Sequence, residues 1–111
     1  MSNGTIVKKS LIKGGGASVQ TGADNTDLAV KAGTIYDFGS TPITELVLTS
    51  VETSYNESVL YFTTGNTITF TDNSGLKWGG DGSAPSLEIN TIYCISIRNG
   101  LAEYDTFGTV S

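Results

Sequence analysis

Apolar positions along this 111-residue chain fall in short runs, and no segment carries a helical period. Strand-like stretches recur, separated by Gly, Asn, Asp or Ser. "TIVKKSLI" (Thr5 to Ile12) comes first, then the flexible "GGGAS" from Gly14 and the polar "QTGADNTD". "LAVKA" from Leu28 leads through Gly33 into "TIYDF" from Thr34. "ITELVLTSV" (Ile43 to Val51) alternates around Leu46 and Leu48. "SVLYFTT" begins at Ser58, and "TITFT" follows from Thr67 after a "TGN" turn.

The last third of the chain has the clearest pattern. "LEI" (Leu87 to Ile89) precedes "IYCISIR", in which Tyr93, Ile95 and Ile97 share one face and Cys94, Ser96 and Arg98 the other. Asn99-Gly100 is a strong two-residue hairpin signal, because a type I′ turn needs positive φ at both central residues. "LAEYDTF" then returns along the same edge. Short strands with frequent turns predict an all-β fold, a single antiparallel β-sandwich or flattened barrel of about eight or nine strands. Residues 1–27 read as an extended N-terminal attachment arm, or a first strand with a Gly-rich hinge, and 28–111 as the β domain.

Composition sharpens this picture. The length suits one domain with a modest core. Charged residues are only 15%, and Thr, Ser, Asn and 14 Gly take their place, a mix that favours strands and turns over helices. Lys8, Lys9 and Lys13 sit in the first 13 residues, which contain no acid. All eleven Asp and Glu come later, accompanied by only Lys31, Lys77 and Arg98. So acidic a body argues against a nucleic-acid partner. The basic start is either an attachment segment for an acidic neighbour or a first strand with solvated lysines. No apolar run is long enough for a signal-peptide core or a membrane span.

Little of the sequence points to catalysis. There is no His, which removes Ser-His-Asp, Cys-His and His-based metal chemistry. A single Cys, Cys94, cannot form an internal disulfide, and in an apolar strand it reads as an inert buried thiol. "GGGAS" has neither the Lys-Ser/Thr of a phosphate-binding loop nor a dinucleotide fingerprint. "DNSG" from Asp72 and "DGS" from Asp81 are oxygen-rich but lack calcium-loop spacing, and Asx-turns explain them better. Neither a metal nor a cofactor is expected. A hydrolase would need two carboxylates across a cleft, for which Glu88 and Asp81 are testable members. Trp78, the only Trp, has two readings: a ring exposed to a sugar or a protein partner, or a packed corner beside glycines, which the local sequence favours. Trp78, Asp81 and Tyr104 are the candidate glycan or interface contacts.

Taken in order, "AGTIYDFGSTPITELVL", "LYFTTGNTITFT", "GLKW" and "APSLEINTIYCISIRNGLAEY" resemble a β-rich module of bacteriophage virion proteins, found in fibres, tail proteins and minor structural proteins. The chain departs from that pattern at "DNSG", where Pro-Ser often precedes Lys-Trp, and at Ile92, where a Lys is common. The resemblance implies a non-enzymatic virion structural protein with no catalytic residues to carry over. The short chain starting at Met1 adds the expectation of a small complete product, a capsid-decoration or head-fibre protein held by its N-terminal segment. Such a protein would be made in the bacterial cytoplasm without a signal peptide, and would associate as a dimer or trimer with capsid or fibre subunits. The alternative is a tail-fibre carbohydrate-binding module that attaches the virion to host glycans.

Overall fold

The computed structural model describes residues 18–21, 27–80 and 82–109. Within these residues every regular element is a strand: β1 (Ser18–Thr21), β2 (Asp27–Val30), β3 (Thr34–Asp37), β4 (Ile43–Val51), β5 (Ser58–Asp72), β6 (Lys77–Trp78), β7 (Thr91–Arg98) and β8 (Leu101–Thr109). The all-β expectation holds, and among the described residues no helix is long and apolar enough to cross a membrane.

The expected antiparallel pairing holds only for the ladders β5–β7 and β7–β8, and the sheet is mixed, not the expected antiparallel sandwich or barrel. Five of the seven ladders are parallel. Odd strands stack on odd strands, Ser18 opposite Thr34 and Ile35 opposite Val59. Even strands stack separately, Asp27 opposite Val47. The chain therefore winds from one ladder to the other and back, laying each new coil on the one before, as in a solenoid. Two strands and two turns complete a coil, so parallel pairing needs no helical crossover of the usual kind. Ser18–Thr21 falls inside the stretch expected to be an attachment arm or a first strand with a Gly-rich hinge; it is hydrogen-bonded to β3 and belongs to the stack.

Strand β5 closes both ladders. Val59 to Tyr61 pair with β3, whereas Thr69 to Asp72 pair with β4. The predicted turn at Thr64-Gly65-Asn66 is instead the place where one continuous strand crosses between ladders. Side-chain burial follows this division. From Ser58 to Gly65 nearly every residue is buried, as in a central strand, while from Asn66 to Asp72 exposed and half-buried residues alternate. Strand β4 shows the matching irregularity. Its pairing slips between Ile43 and Glu45, which puts Ile43, Leu46 and Leu48 all inward despite their uneven spacing.

After the third coil the pairing reverses. β7 runs antiparallel to β5 and β8 antiparallel to β7, with Arg98 opposite Leu101 across the turn. Asn99 (φ 54°) and Gly100 (φ 78°) both occupy the left-handed region, as the Asn-Gly signal predicts. The Asn99 N–H donates to the Ser54 carbonyl at 2.7 Å, which ties the hairpin tip to the loop before β5. Two-residue β6 lies parallel to the start of β8. "LEI" does not form a strand; residues 84–88 run without regular structure and Leu87 is half-buried against the core.

The core lies between the two ladders. Its centre is Ile43, Leu46, Leu48, Leu60, Phe62 and Ile95, all fully buried, with Tyr93 and Ile97 at 2% exposure. The predicted faces of β7 are thus correct: Tyr93, Ile95 and Ile97 point into the core. Cys94 packs on the opposite face with Ile35 and Val59, beside the half-buried Tyr61. Rings form a continuous row through the centre. Phe38 meets Phe62 edge-on at 6.3 Å, Phe62 stacks on Tyr93 at 5.6 Å, and Tyr93 meets Tyr104 at 5.9 Å.

Candidate functional site

The outer end of this aromatic row is the most site-like surface in the structure. Tyr104 lies opposite Ile95 in the hairpin and Thr106 opposite Tyr93, so both share the core-facing side of β8. The core does not extend far enough to cover Tyr104, which remains 46% exposed. Tyr104 lines two grooves. One, of about 380 Å³, is lined by Ser86, Glu88, Thr91, Tyr93, Thr106 and Gly108 as well as Tyr104. The other, of about 410 Å³, is lined by Gly79, Gly80, Glu103 and Asp105 with Tyr104 again.

The walls of the first groove are held by buried hydrogen bonds. Thr64, fully buried where β5 crosses between ladders, donates its hydroxyl to the Glu88 carbonyl at 2.7 Å. The same oxygen accepts the Thr91 N–H at 2.9 Å. The Glu88 N–H donates to the Tyr93 hydroxyl at 2.8 Å, and the Asn90 N–H to the Gly65 carbonyl at 3.0 Å. Asn90 has φ 52°, a left-handed conformation that Asn tolerates and that turns the chain into β7. At the far end, Gly108 has φ 93° beside the point where β7 and β8 slip register.

In the second groove, the Gly79 N–H donates to the Ala102 carbonyl at 2.9 Å, which continues the short β6 ladder by one bond. The Glu103 side chain passes directly over Gly79, its Cγ 3.5 Å from where a Cβ would stand. The first groove therefore combines one carboxylate, Glu88, with Ser and Thr residues, the second has the two carboxylates of Glu103 and Asp105, and Tyr104 lines both.

The sequence-derived candidates fare differently. Tyr104 is exposed and central to this surface. Trp78 is buried, at 6% exposure, and packs edge-on against Phe70 at 5.8 Å. Its ring is therefore a core element with no face open to a ligand, in agreement with the packed-corner reading. Asp81, Lys8, Lys9 and Lys13 lie outside the described residues. Glu88 lines the first groove, although Asp81 cannot be placed beside it. "DNSG" is an Asx-turn: Asp72 Oδ1 accepts the Ser74 N–H at 2.9 Å and also the Ser74 hydroxyl. Among the described residues no group of three or more His, Cys, Asp or Glu could hold a metal ion.

Sequence reasoning missed Glu103, Asp105, Thr91 and Thr106 as groove residues. The signal was available in part. Counting outward from Asn99-Gly100 places Tyr104 opposite Ile95, on the core side, and leaves Glu103 and Asp105 flanking it. Nothing local reveals that residues 86–91 fold back over that side.

No protein-family model matches this chain, and no curated protein and no solved structure matches it.

Proposed function

We propose that this chain is a non-enzymatic structural protein of a bacteriophage virion, a capsid-decoration or head-fibre subunit that associates with copies of itself and with capsid or fibre proteins. The observation that carries the associative part is the outer face of the β7–β8 hairpin. Leu101 (56% exposed) and Phe107 (37% exposed) lie on that face of β8, and neither lines a groove. Among the described residues, β6 pairs with β8 only at Leu101 and Ala102, so from Glu103 onward β8 has one ladder partner, β7. An edge strand with exposed apolar residues is a common subunit contact, by face burial or strand addition. The virion assignment itself rests on the resemblance of the segments from "AGTIYDF" to "NGLAEY". The segment ahead of β1 would supply attachment through Lys8, Lys9 and Lys13, and solenoid-like stacking would give a stiff display unit.

The test is assembly. Light scattering coupled to size exclusion should return a defined dimer or trimer, and Leu101→Glu with Phe107→Glu should return a monomer of unchanged circular dichroism. The protein should co-sediment with phage shells, and removal of residues 1–16 should abolish that attachment. A wild-type monomer that binds neither shells nor fibres would overturn the proposal.

A further inference from the structure

We infer that Tyr104 and the two grooves it lines form a binding site for a short neutral oligosaccharide. The inference stands apart from the virion reading, because it uses only this surface.

Three features lead to a sugar. The Tyr104 ring is exposed yet supported from behind by Tyr93, which is stacked on Phe62 and receives the Glu88 N–H on its hydroxyl. A supported ring loses little freedom on binding and offers an apolar face of the size of a pyranose C–H face. The two grooves, of about 380 and 410 Å³, are each large enough for a monosaccharide, and Tyr104 lines both. Polar groups of the complementary kind surround it. The Glu88 carboxylate on the ring's side of β8, and those of Glu103 and Asp105 on its other face, accept hydrogen bonds from sugar hydroxyls, and the hydroxyls of Ser86 and Thr106 both donate and accept.

Charge narrows the ligand class. Lys77 and Arg98 are each held opposite Leu101, at the turn end of the hairpin, and neither lines a groove. Three carboxylates thus line the two grooves, and among the described lining residues there is no cation. Sialylated, sulfated or phosphorylated glycans are repelled, whereas neutral hexoses and N-acetylhexosamines are not. An oligosaccharide laid across Tyr104 would place one unit in each groove.

Saturation-transfer NMR on the full chain tests this with maltotriose, cellotriose, mannotriose and triacetylchitotriose, and with 3′-sialyllactose as the acidic counter-probe. At least one neutral trisaccharide should receive saturation, and 3′-sialyllactose should receive none. Calorimetry on that hit should show affinity reduced about tenfold or more in Tyr104→Ala and kept within about threefold in Tyr104→Phe, which preserves the ring. Glu88→Gln should weaken binding while leaving circular dichroism unchanged. Absence of transfer to every neutral probe, equal binding by Tyr104→Ala, or preference for the sialylated probe would each overturn the proposal. Assembly is measured separately by light scattering, so failure of the sugar site and failure of the virion reading are distinguishable.

Discussion

Trp78 donates its indole N–H to the Asp72 carboxylate at 2.8 Å, across the turn that leaves the third coil. The same carboxylate receives the N–H and hydroxyl of Ser74 through its other oxygen. One half-buried Asp therefore fixes both the turn and the orientation of the ring that fills the corner beneath it. Asp72→Ala leaves a buried indole N–H unpaired and removes the Asx-turn, and should cost about 1–3 kcal/mol in urea denaturation. Trp78 fluorescence should shift to the red in the folded state. An unchanged midpoint would show that the pair contributes nothing.

Thr64 makes a comparable link in the middle of β5. Its hydroxyl joins the Glu88 carbonyl and the Thr91 N–H inside the core. Thr64→Val keeps the shape and deletes both bonds, so stability should fall by about 1–3 kcal/mol. Thr64→Ser keeps the hydroxyl and should lose distinctly less. Equal losses in the two variants would assign the effect to the methyl group.

At the hairpin tip, Gly100 has φ 78°, a conformation costly for any residue with a Cβ. Gly100→Ala should destabilise the fold by about 1–2 kcal/mol, although nothing lies within 4 Å of the added methyl. Asn99→Gly should be close to neutral, because glycine reaches the same region freely. Thermal unfolding of the two variants side by side tests the turn geometry; a harmless Gly100→Ala contradicts it.

Cys94, at 2% exposure beside Ile35 and Val59, should not react with a thiol reagent in the native state. Reaction should go to completion in guanidinium chloride. Fast native labelling would mean that this face opens readily.

The hairpin was legible in the sequence because its cause is local: two residues, Asn99 and Gly100, set the turn, and alternation sets the faces of β7. Trp78 was legible only as a choice between two readings, since its partner Asp72 is identifiable as a turn residue but not as the acceptor for an indole. Parallel stacking was not legible. An alternating strand looks the same whichever direction its neighbour runs, and no residue in Thr34–Asp37 or Ile43–Val51 marks its partner as a strand one coil away. Likewise "TTGN" has the composition of a turn, and only the pairing of its two flanks to different neighbours makes it part of a single strand. Tyr104 could be given a face by counting from the turn. Its exposure depended on how far the other ladder reaches, which is a property of the whole stack.

The coil-on-coil arrangement also governs how this architecture tolerates changes in length. A whole coil added ahead of Ser18 would present β1 with another parallel neighbour and leave every contact from β3 onward in place. A single residue inserted within β3 would instead turn its later side chains to the opposite face and move Tyr36 out of the core. At the other end, the antiparallel β7 interrupts the parallel repeat, so a coil appended after β8 would not meet the same edge. Length variation among proteins built this way should therefore come in whole coils, concentrated on the β1 side.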